Sequence, residues 1–351
     1  MGGAERSVLA LSRWLYQHQI PNHVVTYVDH VGLAKYADHP LEVVELRPEM
    51  RAAKKVAALR RYFAAHGETP KPLMSGYQPA LHATLAGLRG FHCLMHDTPS
   101  LFADLAKLNL KQRIALRVSD AITGFGLRSG GHTIVTSEYL RAECRREFNV
   151  RADIARMGGL TLANAFRRRP VTTELRMLSV SRIEPNKRID WMLRALEAME
   201  HEAPAVSARV DWHLDIVGKG SALEEMQRLA ANLGLAERVH FHGYLSDAEL
   251  AKLYETTHLF LMPAVQGYGI PAIEALSRGI PVLLHSESGV SDILRNTPWA
   301  VVISGKESAM LSGLRQAIDS ALAGTHLTVP PPQLPTEDEW ASRVARLCNW
   351  L

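Results

Sequence analysis

The chain has 351 residues, of which 47% are apolar and 22% are charged, and this composition is typical of a globular protein. It excludes collagen-like, coiled-coil and disordered chains, and the length predicts two domains at roughly 150 residues per domain. No apolar run reaches the ~18 to 20 residues that a membrane-spanning helix needs. We expect no signal peptide, because the first ten residues lack a basic region followed by an apolar core. The three cysteines (Cys93, Cys144 and Cys348) lie far apart, which argues against a disulfide scaffold or a zinc ribbon and favours a reducing, cytoplasmic setting.

The net charge of +4 is unevenly distributed along the chain. Residues 1–170 hold 24 Lys and Arg against 14 Asp and Glu, a net +10, whereas the rest holds 16 against 22, a net −6. A basic first half indicates an anionic partner on that half. The alternative is a solvated surface that carries basic residues without a partner, and the sequence leaves both readings open.

Short apolar runs alternate with longer amphipathic segments, a pattern typical of parallel sheets connected by helices. In the first half we predict strands at residues 23–28, 41–46, 91–95 and 133–136. The helices predicted there span residues 6–18, 50–66, 99–120 and 138–147. Gly158, Gly159 and the polar stretch up to Thr173 indicate a linker.

The second half repeats this alternation more clearly. We predict strands at residues 176–180, 213–217, 239–242, 259–262, 282–285 and 300–303. The helices predicted there span residues 188–199, 223–233, 247–255, 270–277, 307–322 and 337–351. The whole pattern predicts two doubly wound parallel-sheet domains, with a ligand cleft at the carboxyl ends of the strands. The predicted boundaries are 1–165, 166–335 and a C-terminal helix in 336–351 that packs back on the first domain.

The beginning of the chain departs from this pattern. Gly2 and Gly3 run straight into a helix, and such a glycine pair normally follows a strand, yet only Met1 precedes it. We therefore expect the first strand of the first domain to be missing, either because the chain is truncated or because the domain evolved without it.

The strongest local motif is PAVQGYGIPAIEALSRGIPV, residues 263–282, where a strand ends, glycines follow and a helix begins. Gly267 and Gly269 remove side chains, so that backbone can closely approach a ligand. The helix N-terminus offers N–H groups to an anion, and Glu274 can accept two hydrogen bonds from a ribose diol. Taken alone, such a glycine turn also suits an ordinary strand-to-helix connection.

A second motif, LSVSRIEPNKR at residues 178–188, also joins a strand to a helix. It places the cations of Arg182 and Lys187 where a diphosphate could bind. Surface salt bridging is the alternative interpretation. A third glycine turn, at Gly218 and Gly220, follows another predicted strand.

In this order, the motifs resemble glycosyltransferase family four, whose members are retaining enzymes of the GT-B fold. The resemblance is dense over about residues 176–295, through SVSRIEPNKRIDW, DIVGKG, VHFHGYLSDAEL, LFLMPAVQGYGIPAIEALSRGIPV and SGVSD. It is looser in the first half, through GGAER, LMHDTPS and VTSEYL. It implies two Rossmann-like domains that face each other across a cleft, with a nucleotide-diphosphate sugar bound by the second.

The resemblance also implies roles for individual residues. Arg182 and Lys187 match the cations on the leaving diphosphate, and Glu274 matches the second glutamate of the E-x7-E motif, which holds the ribose. Gln266 stands in the place of the first glutamate, a departure that removes a charge beside the sugar. The other positions assigned to the sugar-donor site are Gly267, Tyr268, Gly269, Ile270 and Gly218.

In the first domain, His96 matches the family's histidine beside the donor sugar, although its position alone would indicate a strand-end histidine without a role. Gly2 and Gly3 match the glycine loop near acceptor and phosphate. No convincing Asp-x-Asp loop occurs, and His240 and His242 lack a third ligand, so we expect a metal-independent enzyme without cofactors. We expect a front-face substitution in which the leaving phosphate helps to deprotonate the acceptor.

The acceptor is expected to bind the basic first domain. The helix predicted over residues 50–66 carries Lys54, Lys55, Arg60 and Arg61 around an apolar stripe, so it could lie on an anionic lipid surface or simply pack on the sheet. We expect hexosyl transfer from a UDP- or GDP-sugar to a glycan or lipid-linked acceptor, at the cytosolic membrane face. One alternative is a glycan or disaccharide synthase with a soluble acceptor, and the other is a non-catalytic homologue that binds a nucleotide sugar or a partner enzyme. Nucleic acid is not expected as a partner, because the basic residues lack interleaved aromatic residues.

Overall fold

The computed structural model describes residues 3–49, 51–99, 108–158, 170–202 and 208–351. The chain forms two compact units, one of Met1–Gly158 with Pro335–Leu351 and the other of Gly159–Leu334. Every pair of neighbouring strands in the described residues is parallel. The predicted parallel α/β class is therefore confirmed. The predicted boundary between residues 165 and 166 lies outside the described residues.

The elements follow one another in the alternation that the sequence predicts. The strands are β1 (Val24–Thr26), β2 (Val43–Glu45), β3 (Leu73–Ser75), β4 (His92–Met95), β5 (Thr133–Val135), β6 (Asp153–Ile154), β7 (Glu174–Val180), β8 (Asp211–Val217), β9 (Val239–Gly243), β10 (Leu259–Met262), β11 (Val282–His285) and β12 (Ala300–Ile303). The helices are α1 (Gly3–Gln17), α2 (Ala52–His66), α3 (Tyr77–Ala86), α4 (Leu110–Leu127), α5 (Glu138–Phe148), α6 (Ile189–Glu200), α7 (Leu223–Asn232), α8 (Asp247–Thr256), α9 (Ile270–Ser277), α10 (Ser308–Ala323) and α11 (Glu337–Leu347).

The first unit contains a two-stranded sheet, β1-β2, and a four-stranded sheet in the order β3-β4-β5-β6. The last helix of the chain belongs to this unit, where α11 packs on α1. Trp14 and Trp340 are buried on these two helices. Arg13 on α1 also forms an ion pair of 2.6 Å with Glu337, the first residue of α11. Apolar burial and this ion pair together hold the chain's last helix in the first unit.

The sequence patterns did not predict β3, α3 or β6. Strand β3 has only three residues and lies between Pro72 and Gly76, so its apolar run is too short to stand out. A proline argues against a helix in general, but Pro79 lies in the first turn of α3, where its missing N–H costs no helical hydrogen bond. The flanking proline and glycine residues therefore hid this strand and helix from the sequence pattern. In the structure, β3 is stabilised by pairing with β4.

The helix predicted over residues 99–120 is wrong at both ends. Helix α4 begins after Asn109, whose side chain accepts a hydrogen bond from the N–H of Gln112, while the Gln112 side chain accepts one from the N–H of Asn109. This capping box fixes Asn109 in an extended conformation and so excludes a continuous helix through it. The helix then continues to Leu127, seven residues beyond the predicted end.

The second unit contains a parallel sheet in the order β12-β11-β10-β7-β8-β9. From β7 the chain proceeds outward through β8 to β9, then returns to β10 on the other side of β7 and proceeds outward to β12. The strand order therefore reverses between β7 and β10, and such a reversal opens a crevice at the carboxyl ends of the two strands.

One face of this sheet forms a large apolar core with α6, α7 and α10. Its largest member is Trp212, which is fully buried and donates from Nε1 to Glu200 at 2.7 Å. The predicted strands and helices of this half agree with the structure to within two residues at each end, except that α11 ends at Leu347 rather than residue 351. None of the helices in the described residues is both long and apolar enough to span a bilayer.

Candidate active site

Two loops meet at the reversal point of the second sheet. One follows β7 and carries Arg182 and Lys187, and the other follows β10 and carries residues 263–269. Asn186 joins them, because its Nδ2 donates to the carbonyl of Val265 at 3.1 Å and its carbonyl accepts from the N–H of Val265 at 3.0 Å. The two motifs that the sequence singled out are therefore in direct contact.

Lys187 and Gln266 lie side by side across this junction, since Lys187 Nζ donates to Gln266 Oε1 at 3.0 Å. The amide of Gln266 is fixed from its other end, where Nε2 contacts Ser288 Oγ at 3.3 Å and Met262 Sδ at 2.9 Å. Its backbone also bonds the loop after β11, from the Gln266 N–H to the carbonyl of Glu287 at 3.1 Å. A neutral amide thus orients the ammonium of Lys187 without contributing a full negative charge.

Arg182 lies in the same loop as Lys187 with an exposed side chain. Both cations are near Glu184, whose pKa is lowered mainly by hydrogen bonds from Ser221 and additionally by the charges of Arg182 and Lys187. The structure therefore places two positive charges near Glu184 at the carboxyl edge of the sheet.

Gly218 allows the loop after β8 to approach the loop that carries Arg182. A Cβ atom on Gly218 would lie 1.8 Å from the carbonyl oxygen of Ser181, and its φ of +145° is one that L side chains rarely adopt. The N–H of Ser181 in turn donates to the carbonyl of Val217 at 3.1 Å. Only glycine permits this backbone-to-backbone contact.

Gly269 precedes the first residue of α9 with a φ of +129°. A Cβ atom there would lie 2.7 Å from Met262 Cε and 2.8 Å from Gln266 Nε2. The helix begins at Ile270, as predicted. Its second residue, Pro271, has no N–H, and the N–H of Ala272 donates to the carbonyl of Gly269 at 3.1 Å. Gly267 and Tyr268 complete this turn, and both are buried.

Glu274 lies in the second turn of α9 and is only 6% exposed. The hydroxyl of Tyr254 on α8 donates to its carboxylate at 3.4 Å, and Arg278 donates to its backbone carbonyl at 2.8 Å. The guanidinium of Arg278 also stacks on the Tyr254 ring, 4.4 Å from its centroid. These neighbours hold a buried carboxylate on the helix that follows the glycine turn.

Several positioning residues were not predicted from the sequence. Asn186 and Ser288 lie in the quoted motifs, but their partners are 79 and 22 residues away, so spacing could not reveal them. Arg188 has a left-handed backbone with a φ of +55°, stacks on Trp191 and forms an ion pair with Glu287. It thereby fixes the start of α6 against the loop after β11.

In the first unit, His96 follows β4 and its Nε2 lies 2.9 Å from Ser75 Oγ. Burial lowers the pKa of His96 to about 4, although the nearby charge of Glu5 raises it somewhat. The imidazole is therefore neutral at pH 7 and can exchange hydrogen bonds without carrying charge. Gly3 is the first residue of α1, the helix that bears Glu5, whereas Gly2 lies outside the described residues.

The described residues contain no group of three or more His, Cys, Asp or Glu side chains arranged to hold a metal ion. His240 stacks on His213 at a centroid distance of 5.7 Å, and His242 Nε2 lies 2.6 Å from Asp215 Oδ1. Both predicted strand histidines thus have protein partners on the sheet.

Residues 163–325 match the family model for glycosyl transferases group 1. Over 191 residues the chain is 29% identical to a GDP-mannose-dependent α-(1-6)-phosphatidylinositol monomannoside mannosyltransferase of Mycolicibacterium smegmatis, covering 50% of this chain and 47% of that protein. It is 33% identical over 138 residues to a D-inositol 3-phosphate glycosyltransferase of Streptomyces scabiei, covering 38% of this chain and 30% of that protein. The chain thus spans about half or less of the length of these relatives.

Solved structures match over nearly the whole chain. Anabaena HepE in complex with UDP and glucose has a TM-score of 0.73 at 16% identity, covering 100% of this chain and 96% of that one. WaaG, a glycosyltransferase involved in lipopolysaccharide biosynthesis, has a TM-score of 0.69 at 17% identity, covering 98% of this chain and 96% of that one. At these identities the likeness establishes the fold.

Proposed function

Because this chain is a glycosyltransferase family four-like protein of GT-B fold, whose residues 163–325 match the glycosyl transferases group 1 family, we propose that it transfers a hexosyl group. The sugar would come from a nucleotide-diphosphate sugar and pass to a glycan or a lipid-linked acceptor with retention of the anomeric configuration. The contact that carries this proposal is the 3.0 Å hydrogen bond between Lys187 and Gln266, because it joins the two sugar-donor motifs at the reversal point of the sheet.

The second unit supplies the chemistry that a nucleoside diphosphate requires. Arg182 and Lys187 offer positive charge to the phosphates, and the N-terminus of α9 offers the positive end of its helix dipole. Glu274, buried in the second turn of the same helix, would accept hydrogen bonds from the ribose diol. Relatives are named as GDP-mannose-dependent, and HepE binds UDP, so UDP and GDP are the nucleotides to test first.

Cleavage of the sugar–phosphate bond leaves negative charge on the diphosphate. Fixed cations and a helix N-terminus can stabilise that charge without a metal ion, which is the mechanism that we propose here. The leaving phosphate would take the proton of the attacking acceptor hydroxyl on the same face of the sugar. His96 of the first unit, neutral at pH 7, can exchange hydrogen bonds with a hydroxyl but carries no charge to pair with a phosphate.

The acceptor is proposed to be a glycan or a lipid-linked molecule at the cytosolic face of a membrane. Two observations support it. The relatives include a mannosyltransferase that acts on a phosphatidylinositol monomannoside, and residues 1–170 carry a net +10 charge, which suits an anionic acceptor or surface.

One observation favours a second candidate function, a homologue that binds a nucleotide sugar without transferring it. Gln266 lacks the charge of the family's glutamate at a position that directly contacts Lys187. Binding without turnover would be its signature.

Calorimetry with UDP, GDP and their sugars, followed by transfer assays, tests both candidates. We expect heat with at least one sugar nucleotide, and NMR should show a product whose anomeric configuration matches that of the sugar donor. Glu274→Gln should weaken nucleotide binding by about 2 kcal/mol, the worth of a hydrogen bond to a charged group, or roughly thirtyfold. Its matched control is Glu225→Gln on the exposed face of α7, which should bind normally.

The outcomes separate the proposals. An inverted product would refute retention, binding without transfer would establish the second candidate, and the absence of heat with every sugar nucleotide would refute both.

A further inference from the structure

Helix α4 exposes a continuous apolar stripe, formed by Leu110, Ile114, Val118 and Phe125. These side chains are 73%, 55%, 53% and 56% exposed, respectively. Their spacing of four, four and seven residues places them on one side of the helix, and Ala121, also exposed, fills the gap. Exposed apolar residues are ordinarily scattered singly over a protein surface. A continuous stripe of this length therefore indicates a surface that binds a partner.

The opposite side of α4 explains why the stripe faces outward. Thr123, Gly124, Gly126 and Leu127 are buried, and a Cβ atom on Gly126 would lie 1.8 Å from Thr84 Oγ1 on α3. The C-terminal half is therefore fixed tightly to the unit. The five residues 111–115 in the N-terminal half are all exposed, so this half projects from the unit.

Cations flank the stripe on both sides. Lys111 borders one edge and Arg113 and Arg117 border the other, and all three are exposed. The single carboxylate of the helix, Asp120, is turned inward and accepts a hydrogen bond from Tyr77 at 3.0 Å. The exposed side of α4 is thus apolar along its centre, basic along its edges and free of acidic side chains.

We propose that the α4 stripe is a docking surface for an anionic lipid bilayer, with the helix lying in the plane of the headgroups. Apolar side chains would enter the boundary with the acyl chains while the flanking cations bind lipid phosphates. A second copy of the chain fits less well, because a two-fold contact through the stripe would bring two sets of three cations together. This inference deepens the proposed function and rests on it, because it identifies the surface that would bring the enzyme to a lipid-linked acceptor.

Helix α2, the basic helix that the sequence favoured for this role, is a poorer candidate. Its apolar residue Leu59 is buried, and α2 packs on α3. Arg60 donates at 3.1 Å to the carbonyls of Leu85 and Ala86 at the end of α3, which fixes α2 to α3. The structure therefore favours the alternative in which α2 packs within its unit, and α2 provides a matched control.

Vesicle flotation of the full chain tests the proposal in the absence of any sugar nucleotide. The protein should float with vesicles of phosphatidylglycerol and phosphatidylcholine but not with phosphatidylcholine alone, and high salt should weaken binding. At about 1 kcal/mol per cation, the triple variant Lys111→Gln, Arg113→Gln, Arg117→Gln should bind about 100-fold more weakly. The control, Lys54→Gln with Arg61→Gln on α2, should bind as the unmodified chain does.

A fluorescent probe reports insertion directly. The native cysteines are all buried, so an environment-sensitive dye can be attached to Val118→Cys on α4, or to Ala57→Cys on the exposed side of α2 as a control. Anionic vesicles should shift the emission of the α4 probe to shorter wavelength and leave the α2 probe unchanged.

If the unmodified chain binds anionic vesicles and the α4 variants bind them equally well, the proposal is overturned. An equal emission shift of the α4 and α2 probes would also overturn it. Failure to float combined with dimerisation that Ile114→Asn abolishes, measured by light scattering, would assign the stripe to a second copy instead. Flotation needs no sugar nucleotide. A failure to float therefore counts against the membrane-docking proposal alone, and the calorimetric test of the sugar-donor site still stands.

Discussion

The two units differ in how their distinctive residues are held. In the second unit, Lys187, Gln266 and Gly218 lie in loops that are joined by direct hydrogen bonds and backbone contacts at one edge of a continuous sheet. In the first unit, the distinctive feature is an exposed helical stripe, and the strands are divided between two sheets. Under the proposed function, a common sugar donor would require one fixed geometry in the second unit, whereas varied helices and loops of the first unit could bind different acceptors or surfaces. This difference would explain why the family motifs are dense in one unit and sparse in the other.

The largest effect expected is on the cations of the second unit. Under the proposed mechanism, Arg182→Ala and Lys187→Ala should each lower the rate of sugar transfer by about 10² to 10³, because each would remove preorganised stabilisation of the leaving diphosphate. Arg228→Ala, at an exposed position on α7, is the control and should transfer sugar normally. Initial rates under saturating sugar donor provide the measurement. Equal rates in all three variants would contradict the proposed difference between the units, because the loops after β7 and β10 would then supply no charge to catalysis.

Glycine substitutions test whether the close backbone contact at Gly218 stabilises the second unit. Gly218→Ala should lower the free energy of unfolding by about 3 kcal/mol, because its Cβ atom would clash with the Ser181 carbonyl at a strained φ. Gly234 also has a positive φ, +71°, but a Cβ atom on it would meet no other atom within 4 Å. Gly234→Ala should therefore cost only about 1 kcal/mol. Urea unfolding measures both, and similar losses would show that the loop after β8 can relax.

Acid pH should affect the two units alike, because each buries a neutral histidine. Burial lowers the pKa values of His96 in the first unit and His326 in the second to about 4. Between pH 6.5 and about 4 the unfolded chain binds these protons and the folded chain does not, so stability falls as the pH falls through this window. Each histidine should contribute about 1.4 kcal/mol per pH unit.

Urea unfolding at several pH values measures this slope. His96→Gln should reduce the pH dependence of the first unit, and His326→Gln that of the second, by about one proton each. The control is Gln227→Ala at an exposed position on α7, which removes no titratable group and should leave the slope unchanged. An undiminished slope in His96→Gln would mean that His96 is protonated in the folded protein.

The smallest effect expected concerns the departure from the family motif. Gln266→Glu should place a carboxylate beside Lys187 and weaken the binding of a nucleoside diphosphate by about 1 kcal/mol, or roughly fivefold, through charge repulsion. The control Gln227→Glu, exposed on α7, should bind as before. Calorimetry at low and high salt checks this, and the difference should shrink at high salt. Tighter binding by Gln266→Glu would show instead that the sugar donor needs the family's carboxylate.

Local sequence patterns were enough to predict the parallel α/β class, nearly every element of the second unit and the two motifs that meet there. Apolar runs of four to seven residues separated by amphipathic helices carry that information locally. Strand β3 was missed because its apolar run is short and lies beside a proline. The start of α4 was missed because a capping box within an apolar region sets it. In both places a few hydrogen bonds, rather than periodicity, determine the secondary structure.

Only the tertiary structure showed which residues are in contact and which apolar faces remain exposed. The hydrogen bond from Lys187 to Gln266 spans 79 residues, and the contact between Gly218 and Ser181 depends on the order of strands in the sheet. The apolar faces of α2 and α4 look alike in sequence, yet α2 is packed against α3 whereas the N-terminal half of α4 projects from its unit. Periodicity gives an apolar face its direction around the helix, but the partner that covers it comes from chain segments distant in sequence.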